Sequence, residues 1–112
     1  MRNENRYWFD LGPIDAIPKR GARTVRTPRR EIAVFRTASD EFFALENRCP
    51  HKGGPLSEGI VHGRKVACPL HNWIIDLENG EAMGADQGCA RSFPVKLENG
   101  RIYLDMGVAA PA

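Results

Sequence analysis

The chain has 112 residues, of which 42% are hydrophobic and 27% are charged, and its net charge is +2. These values are typical of one soluble globular domain over residues 1–112, and no apolar run approaches the roughly 20 residues of a membrane span. The small net charge excludes a whole-protein field that attracts nucleic acid, and the N-terminus lacks an apolar stretch of signal-peptide length. We therefore expect a cytoplasmic protein that binds neither nucleic acid nor membrane.

Short apolar runs separated by turn residues predict an all-β chain, because no segment keeps a helical period of apolar residues. Residues 13–21 are broken by two prolines and leave room for one helical turn at most. Sequential hairpins predict a small antiparallel β sandwich or barrel. In chain order, the predicted strands are 6–12, 22–27, 31–37, 41–47, 64–68, 72–77, 91–97 and 101–105.

The tripeptide Glu-Asn-Gly occurs twice, at residues 78–80 and 98–100. Asn and Gly both tolerate the positive φ of a type I′ turn, so each copy predicts a tight hairpin. Beyond the last predicted strand, the apolar and small residues of 107–112 predict a disordered tail.

Seven basic residues and a single acid, Glu31, lie between positions 19 and 36. This stretch could form a docking surface for an acidic partner, because complementary charge speeds encounter, or simply the solvated face of an outer sheet. It lacks the aromatic interleaving of a nucleic-acid surface. The basic residues are Lys19, Arg20, Arg23, Arg26, Arg29, Arg30 and Arg36.

Two of the three cysteines stand beside a histidine. The patterns are Cys-x-His, beginning at Cys49, and Cys-x-x-His, beginning at Cys68, whereas Cys89 has no histidine near it. An odd number of cysteines in a cytosolic chain argues against a disulfide framework, and thiolate with imidazole is a ligand set for borderline and soft metals. We interpret the two patterns as metal-binding loops and Cys89 as a free, packed thiol.

Two metal centres compete for these ligands. A zinc finger pairs Cys with Cys and His with His on a helix, whereas here each loop carries one of each and no helix is predicted. A Rieske centre is a [2Fe–2S] cluster in which two His replace two Cys on one iron. The alternating order favours the cluster, because each loop can give its Cys to one iron and its His to the other.

Cys49, His51, Cys68 and His71 match the complete Rieske ligand motif. From about residue 8 to residue 104 the chain resembles the small subunit of assimilatory NAD(P)H-dependent nitrite reductase. The resemblance is carried by "RCPHKGGPLSEGIV" and "CPLHNWIIDLENGEAMGADQGC". It implies a Rieske-like β sandwich or barrel, with a cluster-binding subdomain at about residues 47–88 inserted as two loops. It also implies that the two thiolates bind the inner iron and the two imidazoles the outer iron.

The same resemblance implies an electron-transfer subunit that has no catalytic activity alone. Its large partner would carry FAD, an iron–sulfur cluster and sirohaem, and would reduce nitrite to ammonia with NAD(P)H. Two alternatives stay open: a ferredoxin that serves a ring-hydroxylating dioxygenase, and a scaffold subunit whose cluster is not used for redox chemistry. Dioxygenase ferredoxins share the ligands but often have Gly and an aromatic residue directly after the last His.

High-potential Rieske proteins resemble this chain in its loops but differ at four positions. They add a bridging Cys to each loop where this chain has Gly54 and Leu70, and they place hydroxyls near the cluster sulfurs where it has Trp73 and Ile75. Hydrogen bonds to the sulfurs stabilise the reduced cluster. The resemblance therefore implies a potential at the low end of the Rieske range, roughly −150 mV.

Overall fold

The computed structural model describes residues 6–28, 30–50, 54–70, 72–83 and 88–108. These ranges contain ten β-strands and two single 3-10 turns, so the all-β prediction is confirmed. None of the helices in these ranges has the length and apolarity to cross a membrane. The strands are β1 Arg6–Pro13, β2 Gly21–Arg26, β3 Glu31–Arg36, β4 Phe42–Glu46, β5 Ile60–His62, β6 Lys65–Ala67, β7 Ile74–Asp76, β8 Ser92–Phe93, β9 Val95–Glu98 and β10 Arg101–Val108. The 3-10 turns are Ile14–Ala16 and Leu56–Glu58.

The strands form three antiparallel sheets, in the orders β1-β10-β9, β2-β3-β4-β8 and β5-β6-β7. Strand β3 separates two hydrophobic cores, because successive side chains of a strand point to opposite faces. Ile32 and Val34 pack into the core between the first two sheets. Ala33 and Phe35 pack into the core that also contains the third sheet. The first two sheets are called the base below. The third sheet lies in the segment that is predicted to bind the cluster, about residues 47–88, and this segment is called the cluster-binding segment below.

The predicted strand 91–97 is wrong as a continuous element. Pro94 has no backbone N–H to donate to a ladder, and the chain changes sheets at this residue. Strand β8 before it pairs with β4, whereas β9 after it pairs with β10. Strand β5 was not predicted from the sequence at all. Strand β10 continues to Val108, two residues into the segment predicted to be a tail, and residues 109–112 lie outside the described ranges.

The basic stretch between residues 19 and 36 does not form one open cationic surface. Arg36 is buried, where it donates hydrogen bonds to the Ile17 carbonyl at 2.8 Å and to Asp40 at 2.9 Å. The hydrogen bond from Arg36 also lowers the pKa of Asp40. Arg29 lies outside the described residues. Three further basic residues of the stretch have partners. Arg23 donates a hydrogen bond to the Leu11 carbonyl, and ion pairs join Arg26 to Glu31 and Lys19 to Asp40.

Candidate metal centre

Two loops carry the predicted ligands, and the backbone closes both in the same way. Loop A, residues 49–54, follows β4, and loop B, residues 68–73, joins β6 to β7. The Cys49 N–H donates to the Gly54 carbonyl at 2.8 Å, and the Cys68 N–H donates to the Trp73 carbonyl at 2.7 Å. Each cysteine therefore stands at the base of a loop that its own amide closes.

The two cysteines are buried in one core, with 2% of Cys49 and none of Cys68 exposed. Both are free thiols. Burial raises the pKa of the Cys68 thiol, and the neighbouring Cys49 thiol adds to the rise, while a hydrogen bond from the Leu70 backbone opposes it. Burial and the adjacent thiol thus disfavour the thiolate form of Cys68 when no cation is bound. A bound cation reverses that preference, so this pair suits a metal centre better than an apolar core.

Loops A and B meet at Gly54. A Cβ at this position would lie 2.9 Å from the Leu70 side chain and 3.3 Å from the Cys68 sulfur, which is tighter than ordinary van der Waals contact. Loop B also contains Asn72 with a φ of 55°, a conformation that Asn adopts more readily than most residues. The two loops are therefore close together, which is necessary if ligands from both loops are to bind one metal centre. Gly54 and Leu70, the positions of the extra cysteines in high-potential Rieske proteins, are in contact here.

His51 and His71 lie outside the described residues, so their assignment as ligands stays a prediction. Each belongs to the interior of one loop whose ends are described. The described residues alone contain no group of three or more His, Cys, Asp or Glu that could hold a metal ion. The cysteine half of the predicted ligand set is thus brought together by the structure, and the histidine half rests on the sequence pattern.

A third segment contacts loop A, and the sequence analysis missed it. Gly88 has a φ of 144°, and a Cβ there would lie 2.8 Å from Cβ of Pro50, the residue after Cys49. The Gly88 carbonyl accepts the Ala82 N–H at 2.9 Å, and Ala82 forms an isolated bridge with Ile75 of β7, so this segment is linked to the third sheet. Cys89 is exposed, so the prediction of a packed thiol is wrong, although the prediction that it is free is confirmed. In the sequence, only the glycine at position 88 indicated that this segment could approach loop A closely.

Comparisons with known proteins agree with this geometry. A family model described as the Rieske [2Fe-2S] domain matches residues 7–94. The ferredoxin component of the naphthalene 1,2-dioxygenase/salicylate 5-hydroxylase systems of Ralstonia sp. is 33% identical over 88% of this chain and 95% of its own length.

Two solved structures extend the comparison. The Escherichia coli protein NirD superposes with a TM-score of 0.78 at 26% identity, over 91% of this chain and 98% of that protein. A Mycobacterium tuberculosis protein, described as a candidate NADH-dependent nitrite reductase small subunit, superposes with a TM-score of 0.82 at 23% identity, over 94% and 98% of the two chains. The second likeness shows the fold alone. With its family match, its Rieske-like antiparallel sheets and its two buried thiols on facing loops, this chain belongs to the Rieske [2Fe-2S] domain family and takes a Rieske-type [2Fe–2S] cluster as cofactor.

Proposed function

We propose that this chain is the cytoplasmic electron-transfer subunit of an NAD(P)H-dependent assimilatory nitrite reductase. The observation that carries the proposal is the pair of buried thiols, each at the base of a loop closed by its own amide. The choice of this branch is supported by the likeness to NirD over most of both chains and by the "CPLHNW" sequence of loop B. The large subunit would carry FAD, an iron–sulfur cluster and sirohaem and would reduce nitrite to ammonia. This chain alone would have no catalytic activity.

In this proposal one domain spans residues 1–112, and its cluster-binding subdomain spans about residues 47–88. Cys49 and Cys68 would hold the cluster from inside the core as thiolates, and His51 and His71 would hold it as neutral imidazoles nearer to solvent. When bound, the cluster accepts and releases one electron at a time. The chain's own contribution is to keep the two thiol positions fixed and dry through the loop-closing hydrogen bonds and the core around them.

The assignment of ligands is tested with a matched pair of cysteine variants. Cys68→Ser should lose the cluster, with its iron, its acid-labile sulfide and the Rieske signal in the electron paramagnetic resonance spectrum of the dithionite-reduced protein. Cys89→Ser should keep all three, because Cys89 is exposed. His71→Lys should lose the Rieske signal in the same way as Cys68→Ser. A wild-type protein that stays colourless and free of iron after anaerobic reconstitution would contradict the assignment.

A second candidate function is supported by the Ralstonia relative, since that ferredoxin is 33% identical over nearly its whole length. In this case the chain would be the ferredoxin component of a ring-hydroxylating dioxygenase system. Reconstitution separates the two candidates. Electrons should reach nitrite when the chain is mixed with a nitrite reductase large subunit, but should not reach a dioxygenase mixed with its reductase.

The scaffold alternative has a test of its own. His71→Cys is intended to keep a cluster bound while shifting its potential, because imidazole ligands raise the potential of a [2Fe–2S] cluster above that of an all-cysteine cluster. The wild-type potential should lie near roughly −150 mV. If the variant keeps a cluster of altered potential and the complex still turns over at the wild-type rate, the cluster is not on the electron path.

A further inference from the structure

Three arginines surround the point where the base meets loop A. Arg48 directly precedes Cys49, the first residue of the loop. The Asn47 N–H donates to the carbonyl of Glu31, the residue after Arg30, at 2.7 Å. The Glu46 N–H donates to the Arg91 carbonyl at 2.7 Å. These two backbone hydrogen bonds gather Arg30, Arg48 and Arg91 at one end of the second sheet, and this group is called the arginine end below.

Two of these guanidinium groups are held in place by one aromatic ring. The guanidinium carbons of Arg30 and Arg91 lie 5.5 Å and 5.4 Å from the centroid of the Phe93 ring. Stacking on a ring orients the planar guanidinium and leaves its N–H edges available to an acceptor such as a carboxylate. Two of the three cations of the arginine end, Arg30 and Arg91, are thus held in position before any partner arrives.

The acidic side chains of the described residues do not neutralise this end. Arg30, Arg48 and Arg91 have no ion pair within 4 Å to any described residue, whereas at the opposite end of the same sheet Arg36 and Lys19 share Asp40. Glu31 faces Arg26 at 3.8 Å and Asn47 at 3.3 Å. Glu46 lies next to Arg91 in the sheet, but its one carboxylate does not balance the three arginines, so the local net charge is positive.

We infer that the arginine end is a docking surface for an acidic segment of the protein with which this chain exchanges electrons. The inference rests on the proposed electron-transfer function and holds for a large subunit or an oxygenase system alike. An electron-transfer partner must approach the cluster loops, and the arginines lie where loop A leaves the base. Charge at such a place steers the encounter and raises the association rate at low salt.

The test measures the second-order rate of electron transfer from the reduced protein to its partner as sodium chloride is varied. Arg48→Glu and the double variant Arg30→Glu/Arg91→Glu should each lower this rate at low salt, the double variant by about tenfold to a hundredfold. The rates should converge with the wild-type rate at high salt, where the charges are screened. Arg48 stacks on no ring in the described structure, so its variant tests the surface even if the double variant unfolds.

Arg20→Glu is the matched control, because Arg20 is exposed at the opposite end of the sheet, before β2. It should leave the rate at low salt unchanged. Charge-reversed variants that transfer electrons at the wild-type rate, or faster, would overturn the inference. The inference would also be overturned if the charge reversals abolished binding to anionic vesicles or duplex DNA but left the rate of electron transfer unchanged. If the wild-type protein transfers electrons to no candidate partner, it is the proposed function that fails.

Discussion

The tetrapeptide Leu-Glu-Asn-Gly occurs once in the cluster-binding segment, at residues 77–80, and once in the base, at residues 97–100. In the base, Asn99 and Gly100 have φ values of 54° and 74°, and Glu98 pairs with Arg101. This is the predicted two-residue type I′ hairpin. In the copy at residues 77–80 only Gly80 has a positive φ, at 81°, and its N–H donates to the Asp76 carbonyl at 2.7 Å. The type I′ prediction is therefore confirmed for one copy and wrong for the other.

The difference lies in what the leucine and the glycine of each copy contact. Leu77 is buried in the core that contains Cys49 and Cys68, whereas 49% of Leu97 is exposed. The Gly80 carbonyl accepts the Ala90 N–H at 2.8 Å, which ties the turn to the segment leading into β8. The two copies share the same local preferences, but in the copy at residues 77–80 core packing and hydrogen bonds to distant backbone groups determine the turn instead. The four positions of the tetrapeptide offer matched pairs that test this explanation.

The glycine pair should show the largest difference. A Cβ at position 80 would lie 1.9 Å from the Ala90 carbonyl oxygen, whereas a Cβ at position 100 meets nothing within 4 Å. Gly100→Ala carries only the cost of positive φ, about 1 kcal/mol in the free energy of unfolding. Gly80→Ala adds a backbone clash and should cost about 3–5 kcal/mol. Chemical denaturation under anaerobic conditions, followed by circular dichroism and by cluster absorbance, measures both.

The leucine pair should show the next largest difference. Leu77→Ala opens a cavity in the core that contains the two thiols, so it should cost about 2–4 kcal/mol and speed the loss of the cluster. Leu97→Ala removes a half-exposed side chain and should change the free energy of unfolding by about 0.5 kcal/mol or less. Equal destabilisation by both variants would show that burial of the leucine does not distinguish the two copies.

For the asparagine pair we expect the opposite order, with the larger loss of stability in the copy at residues 97–100. Asn99→Ala places alanine at a positive φ, which should cost about 1 kcal/mol, and Asn99→Gly should restore the stability. Asn79→Ala removes one exposed hydrogen bond, from the Glu81 N–H to the Asn79 side-chain oxygen at 2.9 Å, and should cost about 0.5 kcal/mol. Thermal unfolding of the three variants decides this. A greater loss from Asn79→Ala would contradict the assignment of the type I′ turn to the base alone.

The glutamate pair should show the smallest difference. Glu78 accepts a hydrogen bond from Arg64 at 2.8 Å, whereas Glu98 lies 4.0 Å from Lys96. Because these pairs are exposed, Glu78→Gln should lower the thermal midpoint by about 2 °C or less, and added salt should remove the effect. Glu98→Gln should have no measurable effect. A midpoint difference that persists in high salt would show that Glu78 acts through something other than charge.

Arg64, the partner of Glu78, also makes the stability of the fold sensitive to acid through a second carboxylate. Its side chain donates to Glu41 at 3.0 Å, and this hydrogen bond lowers the pKa of Glu41. A carboxylate with a lowered pKa in the folded state stabilises the fold fully above its ordinary pKa, and the stabilisation is lost as the pH falls through the lower value. Glu41→Gln should therefore flatten the acid side of the stability profile. An unchanged profile would show that this ion pair does not contribute.

The sequence by itself determined the all-β class and the placement of most strands, since period-two patterns and turn residues act over a few neighbouring positions. It also determined which residues could bind metal, since the Cys and His spacing is local. The type I′ turn at residues 98–100 was predictable for the same reason, because a Cβ at Gly100 would meet nothing within 4 Å and the preceding Leu97 is half-exposed.

Only the tertiary structure decided that Gly54 approaches the Cys68 sulfur, that Gly88 packs on Pro50 and that Arg36 is buried. It also decided the shape of the turn at residues 77–80. Each of these outcomes depends on groups that are distant in the chain. Their contact energies exceed the roughly 1 kcal/mol by which local preferences differ, so the local pattern could not predict them.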